Sequence, residues 1–152
     1  MIRKIDITKK KMAEHVLCLQ KKAYEVEAEY LGSEKLPPLR ETLSSLLLSD
    51  EHFYGYFLNN DLVGAIAYEK QPHMITITRV MISPLYFRKG IASHLIQYLL
   101  KLEGDQNVYY VTTGTKNVPA IKLYQKFRFQ ETVQYMTREG IALTKLKRLK
   151  ML

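Results

Sequence analysis

One cysteine, Cys18, stands among 152 residues, which excludes an internal disulfide framework. Leu17 and Leu19 flank it and predict a helix packing face, with the thiol buried there rather than acting as nucleophile or ligand. Zinc-type Cys/His spacing is missing too, so no metal is expected. No apolar run approaches the roughly 20 residues of a membrane span. Met1-Ile2-Arg3-Lys4 lacks the apolar stretch of a secretory leader, so the expected place is the cytoplasm, with no membrane partner. Internal repeats, low-complexity tracts and Gly/Ser linkers are lacking as well, and residues 1–152 are expected to form a single domain. With 47% hydrophobic and 25% charged residues, general disorder is excluded.

Acidic residues are the minority: 15 against 23 Lys and Arg, a net charge of +8. Such an excess suits nucleic acid, an anionic cofactor or an acidic partner. It gathers at Lys9-Lys10-Lys11 with Lys21-Lys22, and again at Lys145, Lys147, Arg148 and Lys150. No recognition-helix signature accompanies either cluster, so both are read as solvated surface and no nucleic-acid partner is expected.

The apolar pattern predicts an α/β domain. Ile2 to Ile7 reads as a strand. Met12, Val16, Leu19, Ala23, Val26 and Tyr30 recur at helical steps, and Gly32 should end that helix. Pro37-Pro38 opens a second, shorter helix carrying Leu39, Leu43 and Leu46. The period then changes to that of strands at Phe53–Leu58, Leu62–Tyr68 and Met74–Ile82, with turns at Asn59-Asn60-Asp61 and Gln71-Pro72. Gly90–Glu103 is an amphipathic helix and Val108–Thr113 a strand. Asn117–Phe127 is a helix with Asn117 as N-cap and Pro119 in its first turn. Phe129–Thr137 and Ile141–Leu146 close the chain as a hairpin about Arg138-Glu139-Gly140.

Two stretches carry chemistry. In Phe87-Arg88-Lys89-Gly90-Ile91-Ala92 a strand ends, a basic loop follows and a helix begins at a glycine. Unpaired N–H groups and the dipole of a helix start hold anions, which suits a phosphate-binding loop. Alone, this pattern equally fits a structural strand-to-helix turn. The second stretch is Asn117-Val118-Pro119-Ala120-Ile121-Lys122-Leu123-Tyr124-Gln125-Lys126-Phe127-Arg128-Phe129. Together, in this order and on these elements, the two resemble the GNAT superfamily of acetyltransferases over most of the chain. That family carries Gln or Arg, two residues, Gly, one residue, then Gly or Ala as its pyrophosphate loop. Its second landmark is an Asn opening a helix, then Ala, Leu-Tyr and a strand-starting Phe.

The resemblance implies a GNAT-type mixed, mostly antiparallel seven-stranded sheet flanked by about four helices. It implies direct attack by a primary amine on acetyl-CoA, both substrates being bound at once. The pantetheine arm would pair with the backbone of Val80, Met81 and Ile82, and a backbone N–H near Met81 would polarise the thioester. The pyrophosphate would meet Phe87, Arg88, Lys89, Gly90, Ile91 and Ala92. Asn117 would bond the cofactor arm while capping its helix, and Tyr124 would protonate the departing thiolate. Dimers are common in the family, so a homodimer is one expected state.

Three departures matter. Phe87 stands where Gln or Arg is usual, and Arg128 replaces a glycine before Phe129. Met74–Ile82 contains no carboxylate, although many members carry a glutamate base there. Glu69 and His73 are the nearest substitutes by topology, and a water chain is an equal alternative. The missing carboxylate also leaves open a non-catalytic CoA-binding module. Substrate choice in the family rests on Ala28–Leu43, here with Tyr30, Glu34, Pro37 and Arg40, and on the turn from Tyr135 to Gly140. Glu25, Glu27 and Glu29 read as a solvated helix face.

Overall fold

A computed structural model describes residues 1–32 and 36–151, with the side chain of Tyr30 left out. Its strands are β1 (Ile2–Ile5), β2 (His52–Leu58), β3 (Asp61–Gln71), β4 (Met74–Ile82), β5 (Val108–Gly114), β6 (Gln130–Met136) and β7 (Ala142–Arg148). The α-helices are α1 (Lys10–Leu31), α2 (Leu43–Leu47), α3 (Ile91–Glu103) and α4 (Val118–Lys126). All seven strands form one mixed α/β sheet in the order β1-β2-β3-β4-β5-β7-β6. Every neighbouring pair is antiparallel except β4 and β5.

Local chemistry sets the element ends. Asn59 and Asn60 take φ 50° and 68°, the left-handed pair of a tight hairpin turn between β2 and β3. β1 stops at Ile5, short of the expected Ile7, because Asp6 Oδ1 accepts from the Thr8 N–H at 3.0 Å and turns the chain into α1. The expected second helix is two pieces. A 3₁₀ turn at Pro37–Arg40 ends where Glu41 becomes extended, and Thr42 then caps α2 by accepting from the Ser45 N–H. Arg128, where the family pattern has glycine, sits at φ 71°, a left-handed conformation costing about 1 kcal/mol for a side-chain-bearing residue.

β3 is buried from Val63 to Tyr68 because both faces of the sheet are covered. On one face α1 and α2 pack Val16, Leu19 and Leu46 onto Phe53, Ala65 and Met81. On the other, α3 and α4 pack Leu95, Ile96, Leu99 and Tyr124 onto Ile66, Ile75 and Val111. Cys18, expected to be buried, is exposed. The packing face of α1 runs through Ala13, Val16, Leu19 and Gln20, and position 18 points away from it.

The sheet is split along one line. β4 and β5 pair only from Met74↔Val108 to Ile77↔Val111. Beyond Ile77, β4 stays with β3 through Ile82, while β5 follows β7 through Gly114. The two strands diverge into a fork that opens both faces of the sheet to each other.

Candidate active site

A cavity of about 510 Å³ fills this fork. Its walls come from α1 (Tyr24, Glu27), β4 (Ile77 to Val80, and Ile82), β5 (Val111 to Thr113), the loop after β4, the start of α3, and α4.

One end is built for an anion. α3 starts at Ile91 after Gly90, which takes φ 75°, and no side chain caps the helix. The first helical N–H to find a partner is that of His94, which donates to the Gly90 carbonyl at 3.0 Å. The N–H groups ahead of it therefore have no helical carbonyl to meet. Space above Gly90 is empty, with no atom within 4 Å of where a Cβ would sit. Arg88, itself left-handed at φ 63°, Phe87, Gly90 and Ala92 line the cavity beside this end. Ile91 is buried and anchors the helix, whereas Lys89 is exposed and lies outside the lining.

Along the fork, Val80 and Ile82 face the cavity. The Met81 side chain points the other way, fully buried against the α1 side of the sheet, so only its backbone is available. Past Ile77 the β4 edge toward β5 has no strand partner, which leaves backbone groups for an extended ligand to pair with.

α4 supplies the next wall. Asn117 Oδ1 accepts from the Ala120 N–H at 3.3 Å and caps the helix. Tyr124 is buried, its ring 5.7 Å from that of Phe129. Burial, helped by the charge of Glu27, pushes its phenol well above the ordinary tyrosine range.

Glu27 is a wall residue that sequence reading assigned to solvent. Glu25 and Glu29 are exposed, but Glu27 turns into the fork. It sits four residues after Ala23 and three before Tyr30, inside the apolar stripe, and that spacing was the available signal. Burial raises its carboxyl above the usual carboxylate range, against the pull of the Asn117 side chain, the Gly114 N–H and the Thr113 hydroxyl. Glu69, the expected base, is exposed and absent from the cavity wall. It pairs with Thr76 at the closed end of the fork, and His73 lies in the turn beyond.

Arg79, part of the β4 wall, joins distant elements. Its Nε and Nη2 donate to Glu51 at 3.0 and 2.6 Å, and Nη1 donates to Gln20 at 2.7 Å. Glu41 accepts from the same guanidinium. Of the expected specificity residues, Glu34 lies outside the described positions. Ala28, Leu36 and Ile141 pack together, bringing the α1–α2 connection and the β6–β7 turn against each other. Among the described residues, no group of His, Cys, Asp and Glu could hold a metal ion, and no helix is long and apolar enough to cross a membrane.

Comparison with known proteins agrees with this geometry. Residues 17–129 match the model of the acetyltransferase (GNAT) family. UPF0157 protein YqkA of Bacillus subtilis (strain 168) is 35% identical over 133 residues, 88% of this chain and 39% of that protein. The chain thus spans well under half the length of that curated relative. The ribosomal-protein-S18-alanine N-acetyltransferase of Escherichia coli is 13% identical with a TM-score of 0.78, covering 100% of this chain and 94% of that one. The PaiA N-acetyltransferase of Thermoplasma acidophilum, solved with coenzyme A, is 17% identical with a TM-score of 0.76, covering 99% of each chain. YncA of Salmonella typhimurium, solved with acetyl-CoA, is 15% identical with a TM-score of 0.73, covering 100% of this chain and 94% of that one. At such identities the structural likeness speaks to the fold.

Proposed function

This chain belongs to the acetyltransferase (GNAT) family, and we propose that it moves an acetyl group from acetyl-CoA to a primary amine, with both substrates bound together. One observation carries the reading: a forked β4–β5 pair whose cavity runs from an uncapped helix N-terminus to a buried tyrosine. Acetyl-CoA supplies an activated acyl thioester, and the residues present fit it from end to end. The N–H groups opening α3, with Arg88 alongside, hold the pyrophosphate. Val80, Met81 and Ile82 pair with the extended arm through their backbone. Asn117 borders that arm, and a backbone N–H near Met81 draws charge onto the thioester oxygen. Tyr124 offers its hydroxyl to the sulfur.

Acetyl-CoA that binds the folded chain alone stabilises it by mass action, by about 2.7 kcal/mol at 100 times Kd. At about 2–4 °C per kcal/mol for a chain of this size, the melting temperature should rise by roughly 5–10 °C. Nicotinamide and flavin cofactors should leave it in place. A melting temperature unmoved by millimolar acetyl-CoA would end the assignment. Binding without thiol release from any amine would mark a non-catalytic CoA-binding module instead.

Gly90→Asp tests the anion end. Its Cβ enters empty space and aspartate tolerates φ 75° better than most residues, so the fold survives. The added carboxylate lies against the pyrophosphate position. Calorimetry should show acetyl-CoA affinity reduced at least about tenfold, whereas equal affinity would leave the loop only a turn.

A further inference from the structure

The fork lets opposite faces of the sheet contribute to one cavity: Glu27 and Tyr24 reach it from α1, Tyr124 from α4. The Glu27 carboxylate faces the cavity. The Gly114 N–H, the Thr113 hydroxyl and the Asn117 side chain lie around it and favour its charged form against burial. Asn117 accepts from the Ala120 N–H through its oxygen. That side chain caps the start of α4, which carries Tyr124, and stands beside the Glu27 carboxylate.

The remaining wall does not neutralise that charge. Arg79, the cation that β4 brings to the wall, is matched against two carboxylates, Glu41 and Glu51. The α1 side of the cavity is therefore net negative, while Arg88 makes the α3 end positive. A ligand with an anionic end and a cationic partner fits this polarity.

We infer that Glu27 binds the ammonium form of the acceptor and takes its proton, so that the acceptor is a cationic primary amine. The inference rests on the acetyltransferase reading and supplies the base that β4 lacks. Glu27 removes one proton from R–NH₃⁺ and later releases it to solvent. The freed nitrogen lone pair forms the C–N bond to the acetyl carbon, and the C–S bond breaks with its electron pair leaving on sulfur. The sulfur takes a proton from Tyr124, whose oxygen recovers the second proton from the nitrogen. A carboxyl raised by burial is a better base near neutrality than an exposed one.

The test compares wild type, Glu27→Gln and Glu27→Asp. Acetyl-CoA binding is measured by calorimetry, and thiol release by its absorbance with a disulfide dye. The acceptors are spermidine, cadaverine, lysine and an α-amino peptide, with hydroxylamine as an acceptor that is uncharged at neutral pH. Glu27→Gln should lose at least about 10²-fold in kcat/KM with the cationic amines. It should keep hydroxylamine turnover, acetyl-CoA affinity and a melting temperature at or above wild type, since a desolvated charge has been removed. Glu27→Asp should recover part of the loss. Full retention by Glu27→Gln, or equal loss with hydroxylamine, overturns the role of Glu27. Wild-type turnover of hydroxylamine with no cationic amine overturns the acceptor class and leaves the acetyltransferase reading intact. Wild-type binding of acetyl-CoA with no thiol release from any acceptor overturns that reading itself.

Discussion

Tyr124→Phe should lower kcat by about 10²-fold or more while acetyl-CoA affinity and melting temperature stay near wild type. The substitution removes one oxygen and keeps the ring, so the contact with Phe129 at 5.7 Å survives. Burial and the nearby Glu27 charge keep the phenol protonated across the working pH range, so it is a hydrogen-bond donor throughout. The same shift makes it a poor acid. A thiol titrates near about 8.5, and each unit of mismatch costs about 1.36 kcal/mol. Outright transfer from phenol to thiolate would therefore run uphill. Transfer becomes feasible when the nitrogen surrenders its second proton to the same oxygen as sulfur leaves. Two consequences follow. The kcat profile should show no limb from tyrosine ionisation below pH 10 (the ordinary value). Loss should also fall on kcat more than on KM, because the interaction strengthens only as charge reaches sulfur. Near-full turnover by Tyr124→Phe would make the residue structural and leave water or the amine to supply the proton.

The sequence made the strands and helices around the fork legible, because each announces itself within a dozen residues. β4 reads from its β-branched alternation, α3 from the glycine that opens it, and α4 from Asn117 and Pro119. Glu27 was concealed by a real ambiguity. Helical periodicity fixes its angle relative to Ala23 and Val26, but not that this end of α1 lies over a gap in the sheet rather than over solvent. Arg79 shows the other limit. In sequence it is one charge inside an apolar strand. Its partners Gln20, Glu41 and Glu51 lie 59, 38 and 28 residues away, and no local pattern links them. The break at Glu41 belongs to the same network. Helical propensity would carry the segment through, yet Glu41 is extended and its carboxylate is turned onto the guanidinium.

Arg79→Met should destabilise the fold by about 3 kcal/mol at pH 7, the low end for breaking a buried ion pair, and lower the melting temperature by roughly 6–12 °C. The side chains involved are 13%, 15% and 13% exposed, so water cannot replace the lost partner. Dependence on pH separates charge from packing. Burial, the largest single influence, would raise Glu41 and Glu51, but the hydrogen bonds and charge of Arg79, together with hydrogen bonds from Gln20, Ser45, Thr78 and Ser49, outweigh it and hold both carboxyls below their ordinary range. A depressed folded-state pKa contributes stability above the unfolded value, about 4.3, which is lost as pH falls through the folded one. Remove Arg79, and the largest opposition to burial goes, leaving only the hydrogen bonds from Gln20, Ser45, Thr78 and Ser49. Both carboxyls then rise above the unfolded value, so acid favours the folded variant. Between pH 7 and about 4.5 the wild type should hold or lose stability while Arg79→Met gains, and the gap between them should shrink. Urea unfolding across that range reads it directly. A gap that stays constant would mean the methionine fails by shape, not by uncompensated charge. Adding Glu51→Gln to Arg79→Met should return part of the loss at pH 7, since one stranded carboxylate has gone. The reach of Arg79 to Gln20 on α1 also ties that helix to β4. Loosening it should displace Glu27 from the fork and raise the KM for the amine before acetyl-CoA affinity changes.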